Sequence, residues 1–353
     1  MSGASWSACE LLRHTAGLAT GFRGSAHEGG AIMQDQSSIN QFQNGDATRL
    51  NSVDSPLPLP QIGACSGGEG IRTASLPLGE PPLPPDMLSL HWSEMSMAMR
   101  CLVQHHFVYR LGMRRPGNAF LAIGTGAHSA IEYYMRWKLA HEMATAPRDE
   151  VSDVARDSVA HRIETEGLTL DEDEAAKGIV RVKARAVDVA ARMSLLHYDE
   201  IAPGIEPIEV EKEWRVNVKG ANLVLAGRID LIATDGIHDS KTAKAMPAAN
   251  EADTSDQLTT YALAHRVLYG KLPAKLFLDK MVITEKERED SSEPGRKKIL
   301  ETVRTDADLI PFLKRIEAIV RLIRSGMIMP CDRSHYLCSR KWCGFFDICP
   351  YVR

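Results

Sequence analysis

The stretch from Gly227 to Tyr261, GRIDLIATDGIHDSKTAKAMPAANEADTSDQLTTY, decides the fold. At its start, ANLVLAGRIDLIA and GIHDSKT are two short β-rich runs separated by the turn formers Asp235 and Gly236. A two-residue turn at Asp235–Gly236 sets Thr234 opposite Ile237, Ile232 opposite Asp239 and Asp230 opposite Lys241. Side chains alternate along a strand, so Asp239 and Lys241 leave one face and the opposed Asp230 shares it. Two carboxylates and one ammonium therefore converge.

Working outward, IEPIEVEKEWRVNV precedes this pair and turns at Lys219–Gly220, which makes three consecutive antiparallel strands. A helix follows from about Thr254 to Tyr269, capped by Thr254 or Ser255; KLFLDKMVIT is a further strand, and a last helix spans roughly Leu309 to Ser325. Upstream, Trp92 to about Leu111 suits a helix opened by Ser93, with Cys101 among its positions. In GNAFLAIGTGAHSAIEYYMRWKLAHE, Gly124 and Gly126 precede a helix beginning around Ala127 and running past Leu139. The charged, Ala-rich stretch from Val151 to Tyr198 reads as two amphipathic helices broken near Gly167, a helical layer or insertion (151–198). A central mixed sheet flanked by helices makes the fold class α/β or α+β.

With 353 residues, 44% of them hydrophobic, the chain can bury a sizeable core. Its net charge of −4 lacks the basic excess of many nucleic-acid binders, so phosphate contacts must come from local clusters. No apolar run approaches the ~20 residues that cross a bilayer, and no basic stretch leads into an apolar core at the N-terminus. A cytoplasmic protein without a membrane partner is expected. Residues 1–86, rich in Gly, Ser, Pro, Asn and Gln, show no sustained period and end in PLGEPPLPP. They read as a disordered leader, or as coding sequence upstream of a start at Met87, with a single domain over 87–353.

Asp230, Asp239 and Lys241 are costly together as a purely structural feature, because like charges repel and a partly buried lysine needs compensation. A divalent cation resolves the conflict. Carboxylate oxygens of Asp230 and Asp239, with the Ser240 backbone carbonyl, form a hard oxygen set suited to Mg²⁺ or Mn²⁺. Such a cation activates water as a nucleophile, and Lys241 orients it or stabilises charge developing on a phosphoryl group. Asp-x-Lys alone is a short pattern, frequent by chance.

Here GRIDLI is followed nine residues later by the Asp of HDSKT and then by Gln257 and Tyr261 in QLTTY, and this series resembles the signature of RecB-like nucleases of the PD-(D/E)XK type. The resemblance implies a restriction-endonuclease-like core and metal-dependent hydrolysis of DNA phosphodiesters. It matches Asp230 to the first metal-binding acid, and Asp239 and Lys241 to the acid and lysine of the final motif, with Asp where many relatives have Glu. GTGAH resembles the upstream motif whose histidine is a metal ligand, which points to His128, with Glu132 one turn on. Gln257 and Tyr261 share a helix face that, by resemblance, borders the active site and positions the catalytic lysine or the DNA backbone. Glu211 matches a glutamate often found on the strand before the first acid, although Glu209 and Glu213 point to the same side.

Of seven cysteines, Cys331, Cys338, Cys343 and Cys349 crowd the C-terminus. CSRKWCGFFDIC resembles the C-terminal clasp (331–353) of RecB-like nucleases carrying a [4Fe–4S] cluster, whose fourth thiolate comes from upstream of the histidine motif, where Cys101 lies. Cys331 offers a rival fourth ligand, giving a local Cys₄ site that would hold Zn²⁺ instead. For DNA contact, Arg110, Arg114 and Arg115 form a local basic cluster, with Lys244 and Arg228 near the hairpin; a solvated charged surface is the competing reading. An exonuclease of recombination, repair or phage DNA processing is the expected function. Its alternative is a non-catalytic DNA-binding or assembly module stabilised by a cysteine-bound metal. No Gly-Lys-Ser/Thr phosphate loop occurs, so ATP-driven unwinding would come from a helicase or recombinase partner.

Overall fold

The computed structural model describes residues 87–284, 286–287, 295–340 and 342–352. The expected leader, 1–86, lies outside the described residues.

Six strands form one mixed sheet. Strand β1 (Leu88–His91) leads into α1 (Trp92–Arg100), a short helix α2 (Leu102–His105) and a π turn (His106–Arg110). Three longer helices and one short one follow: α3 (Ala119–Ala140), α4 (Arg148–Glu166), α5 (Glu172–Lys177) and α6 (Ile179–Glu200). Strands β2 (Pro207–Val218), β3 (Leu223–Ala233) and β4 (Ile237–Ala243) come next, then α7 (Asp256–Tyr269), β5 (Leu276–Val282), β6 (Arg296–Thr302) and α8 (Asp306–Ser325).

Strand β3 organises the sheet. Along one edge it pairs antiparallel with β2 over its whole length. Its other edge is divided: Leu223–Ala226 pair in parallel with β1, while Leu231 and Ile232 pair antiparallel with His238 and Ile237 of β4. Among the described residues no strand pairs with Gly227–Asp230 on that edge, so β3 and β4 part just beyond Leu231 and His238. β4 then runs parallel to β5, which pairs antiparallel with β6.

Two apolar clusters sandwich this sheet. One gathers α1, α7 and α8 around Leu225, Ile229, Ile237, Leu276 and Leu278; the other gathers α3, α4 and α6 around Leu231, Ala233, Met281 and Ile283. A third and smaller one joins Val103, Phe107 and Val108 to Phe345 and Cys349 at the C-terminus.

Several local expectations are corrected. The hairpin turn is centred on Thr234–Asp235, because Ala233 and Gly236 exchange two backbone hydrogen bonds of 2.8 and 3.3 Å. Ile232 thus pairs with Ile237, not Asp239, and the register places Asp230 opposite Asp239, not Lys241. Gly236 serves close approach: a Cβ there would lie 2.5 Å from the Lys275 carbonyl oxygen. The slip is an even number of residues, so every side chain keeps its face.

Helix α3 starts at Ala119, capped by Asn118, which accepts from the Leu121 amide at 2.9 Å. Gly124 and Gly126 are therefore inside it. The first helix ends at Arg100, one residue before Cys101, whose backbone is extended (φ −162°, ψ 109°), and it is His91 that precedes its first turn, not Ser93. This break frees the Leu102 amide to donate to the Met329 carbonyl at 3.0 Å, joining the N- and C-terminal segments of the fold. Strands β1 and β6 escape sequence reading: LSLH is only four residues long, and RKKILET buries only Leu300 and Thr302.

The two α3 glycines differ physically. A Cβ at Gly126 would meet Val159 Cγ2 at 2.5 Å and the Ala155 carbonyl oxygen at 2.6 Å, whereas one at Gly124 meets only Thr242 Oγ1 at 3.5 Å. We expect Gly126→Ala to destabilise by roughly 1–3 kcal/mol through overpacking. Gly124→Ala should be neutral or stabilising by up to about 1 kcal/mol through helix propensity. Thermal denaturation of both variants checks this; equal melting temperatures would refute the packing assignment.

Candidate active site

The parting of β3 and β4 opens the sheet beside Asp230 and Asp239. Lys241 Nζ donates to Asp239 Oδ1 at 2.6 Å, and Asp239 shares a hydrogen bond with Asp230. Tyr261 Oη donates to Asp230 Oδ1 at 2.8 Å, while Gln257 Nε2 donates to Tyr261 Oη at 2.8 Å. The four-residue spacing on α7 thus aims two side chains at Asp230 in series. Gln257 and Tyr261 hold the first acid, not Lys241. From α3, His128 Nδ1 lies 3.7 Å from Asp230 Oδ2, and the ring hydrogen-bonds the Ser240 backbone.

Glu211 completes a row of carboxylates across three strands. The pairs Val210–Leu231 and Lys212–Ile229 place it opposite Asp230 on β2. Its backbone is left-handed (φ 52°), a strained state for a glutamate inside a strand. That kink sets it apart from Glu209, which bonds Tyr269 and Lys212, and from exposed Glu213. Arg228 Nε pairs with Glu211 Oε2 at 3.2 Å. Glu132 does not join the row directly; it pairs with Arg136 at 2.9 Å along α3.

The charges show what the crowding costs. Burial, and then the Asp230 charge, raise Asp239 to about 7 against the opposing pull of Lys241. Burial and Asp230 likewise raise Glu211 to about 7. Burial would lower the Lys241 ammonium, but Asp239 and Asp230 outweigh it and hold its pKa above the ordinary lysine value. Burial lowers His128, which favours the neutral imidazole that a metal requires.

The chain matches the family model described as PD-(D/E)XK nuclease superfamily over residues 91–350. It belongs to that superfamily. The fold is the restriction-endonuclease-like α/β core, and membership makes the protein a nuclease, a class that typically uses Mg²⁺ or Mn²⁺. No protein of curated function matches the chain.

The residues fit a divalent cation. Asp230 Oδ2 is buried with no hydrogen-bond partner, an orphaned acceptor of the kind a cation satisfies, and Asp239 beside it supplies a second hard oxygen. Among the described residues no three His, Cys, Asp or Glu side chains are closed around a single point: Lys241 engages Asp239, and His128 engages the Ser240 backbone.

Beneath β4 lies a polar layer the sequence did not reveal. Ser240 Oγ contacts His197 Nε2 at 3.1 Å, and His197 Nδ1 bonds the Tyr134 hydroxyl. His238 Nδ1 lies 2.8 Å from Asp279 Oδ2, and its Nε2 lies 3.1 Å from Asp235. Burial drops His197 to about 4, so it is neutral; with its proton on Nε2, it donates to Ser240 and accepts from Tyr134. These residues come from α3, α6, β4 and β5, far apart in sequence, and none forms a motif.

The remaining expected residues lie elsewhere. Arg110, Arg114 and Arg115 are exposed on the segment after α2; Arg114 sits 5.6 Å over Tyr109 and Arg115 5.4 Å over Phe345. Lys244 lies 5.0 Å over Phe120, and Arg228 is the partner of Glu211. Cys101, Cys331, Cys338, Cys343 and Cys349 all line one cavity of about 180 Å³.

Protons and a cation compete for the carboxylate row. Both shifted acids have folded values above the unfolded ones, so the folded protein holds extra protons between about pH 4 and 7, and metal-free stability falls as pH rises through that window. Above pH 7 the ionised acids repel until a cation joins them. We expect the melting-temperature rise produced by Mn²⁺ to grow between pH 6 and pH 8. Calorimetry at both values checks it, and a metal effect that shrinks over this range would contradict the assignment.

Proposed function

We propose that the protein is a Mg²⁺- or Mn²⁺-dependent deoxyribonuclease of the RecB-like type, acting as an exonuclease in recombination, repair or phage DNA processing. The observation that carries this reading is the convergence of Asp230, Asp239 and Lys241 where β3 and β4 part, with His128 facing the orphaned oxygen of Asp230.

Asp230, Asp239, His128 and the Ser240 carbonyl would hold the cation, which when bound supplies Lewis-acid activation of water and charge neutralisation on phosphate. The chain's own residues do the rest. Lys241 keeps its proton beside Asp239 and presents a fixed positive charge to a phosphoryl group gaining negative charge. Tyr261 fixes Asp230 through one oxygen and leaves the other directed at His128. Exonucleolytic action and a helicase or recombinase partner rest on the RecB-like resemblance. Arg110, Arg114 and Arg115 supply phosphate contacts without base readout, which supports cleavage with little sequence preference.

For the clasp we propose a [4Fe–4S] cluster ligated by Cys338, Cys343, Cys349 and Cys101. All five thiols line one cavity, and burial and neighbouring thiols raise Cys331, Cys338 and Cys343; the choice of cluster over a Cys₄ zinc site rests on the RecB-like resemblance of CSRKWCGFFDIC. The extended backbone of Cys101 directs it to this cavity from between two helices. Cys331 also reaches the cavity, so the pair of variants decides between them.

We expect Asp230→Ala, Asp239→Ala and Lys241→Ala each to lower cleavage of end-labelled DNA in Mn²⁺ by at least about a thousandfold, on the scale of losing a catalytic electrostatic group. Circular dichroism should show each variant folded, and near-normal cleavage by any one would refute the nuclease reading. For the clasp, Cys101→Ala should lose iron and thermal stability together while Cys331→Ala keeps both. Metal and sulfide analysis reads this out; stoichiometric zinc, or the opposite pattern of variants, would replace the proposed ligand set.

A further inference from the structure

The clasp carries more aromatic surface than its own packing uses. Phe345 and Phe107 build its core, with ring centroids 5.2 Å apart and Phe345 only 5% exposed. Tyr336 and Trp342 do not belong to that core. They are 63% and 48% exposed, and they meet edge to face with centroids 5.9 Å apart. The exposed part of such a ring contributes little to folding, since most of an aromatic side chain's stabilisation comes from burial.

Cations interleave with the rings on the same part of the fold. Arg340 sits 5.9 Å over Phe346 and is fixed by Asp347 at 2.7 Å. Arg115 lies 5.4 Å over Phe345, and its Cδ comes within 3.3 Å of where a Cβ of Gly344 would stand, which joins the 109–115 segment to the clasp. Arg333 is exposed and donates to the Val352 carbonyl at 3.2 Å. While the whole chain carries −4, residues 331–353 hold four Arg or Lys against two Asp, and residues 109–115 hold three Arg and no acid.

We infer that this face of the clasp is a binding surface for single-stranded DNA, with bases stacking on Tyr336 and Trp342 and phosphates meeting Arg115, Arg333 and Arg340. Exposed aromatic rings and guanidinium groups alternating along one short segment, Arg333, Tyr336, Arg340 and Trp342, are the side chains that sequence-tolerant binding of single strands requires, because every base has a stacking face and every nucleotide a phosphate. The surface deepens the nuclease reading and rests on it: it assigns the clasp a role in holding the substrate strand beyond that of closing the fold.

The test uses the full chain in EDTA, with fluorescence anisotropy of a labelled thymidine oligonucleotide and of an abasic oligonucleotide of equal length. The wild type should prefer the thymidine strand by about tenfold or more, the scale of one stacked base. Trp342→Ala and Tyr336→Ala should each erase most of that preference while leaving abasic binding unchanged. Trp342→Phe and Tyr336→Phe should keep it, and Arg333→Gln should weaken both strands equally. Should alanine unfold the clasp, abasic binding falls as well, and Trp342→Leu, with apolar bulk but no π face, takes its place. An unchanged preference in the alanine or leucine variants overturns the inference, including the case in which they lose only a co-purifying protein. Cleavage by the wild type in Mn²⁺ is read separately. Cleavage without a base preference sinks this inference alone, and preference without cleavage sinks the nuclease reading alone.

Discussion

Three carboxylates on adjacent strands around one lysine are the constraint on which the rest of the structure depends. Glu211, Asp230 and Asp239 lie in register across β2, β3 and β4, and two of them are pushed to about 7 by burial and by Asp230. A single lysine cannot neutralise the row, so the protein holds it open mechanically. β3 gives up its pairing with β4 beyond Leu231, Glu211 takes a left-handed backbone, and a helix on either side contributes one contact to Asp230. Strain and like-charge repulsion of this kind persist only when surrounding packing over-determines them, and they mark sites of function.

That over-determination can be traced. Tyr261 reaches Asp230 because α7 is fixed at its start. Ser255 accepts from the Leu258 amide, and the buried Arg304 guanidinium donates to Thr259 Oγ1 and to the carbonyls of Ala252 and Asp253 at 2.8–3.0 Å. Hydrogen bonds to a charged group are each worth about 1.5–3 kcal/mol, so this one side chain secures both the loop after β4 and the helix facing the site. On the reverse of β4, His238 and Ser240 flank Asp239 and are bound to Asp279 and His197. The strand is held by polar contacts from behind while its front face carries the charges. Such a network fixes a backbone more tightly than apolar packing, because each member has a directional partner.

How much of this was legible depended on range. The GRIDLI and HDSKT runs predict the strands and their common face, and QLTTY predicts a helix face, since both patterns are local and periodic. The pairing register was not legible. Asp-Gly favours a two-residue turn by itself, but Gly236 is needed because the Lys275 carbonyl passes 2.5 Å from where a Cβ would be, a contact from a distant segment. Gly126 suggests a helix boundary for the same reason, since it admits α4 and no nearby residue announces that; Gly124, whose Cβ would meet only Thr242 Oγ1 at 3.5 Å, has no such contact. The Tyr134–His197–Ser240 and His238–Asp279 contacts were invisible because buried polar partners follow tertiary packing and have no spacing rule. Alternation along the strand does not separate Glu211 from Glu209 and Glu213; the family resemblance points to it, and its register opposite Asp230 and its left-handed backbone set it apart.

A chain of contacts runs from the C-terminal segment to the sheet beside the site. Strand β1 pairs with β3 immediately before Gly227–Asp230, the stretch that no described strand pairs on that edge, so β1 holds the edge of β3 that leads into Asp230. β1 is four residues long and continues into α1, which ends at the extended Cys101. Beyond that break, the Leu102 amide is taken by Met329, and Phe107 packs on Phe345. Few interactions tie so short a strand, and a crosslink that closes a long loop removes the most freedom from the open chain. Thiols from both ends of the domain facing one cavity give that crosslink a place. Loss of clasp integrity should therefore loosen β1 first and reach Asp230 through β3, along the backbone pairing and not through a side chain.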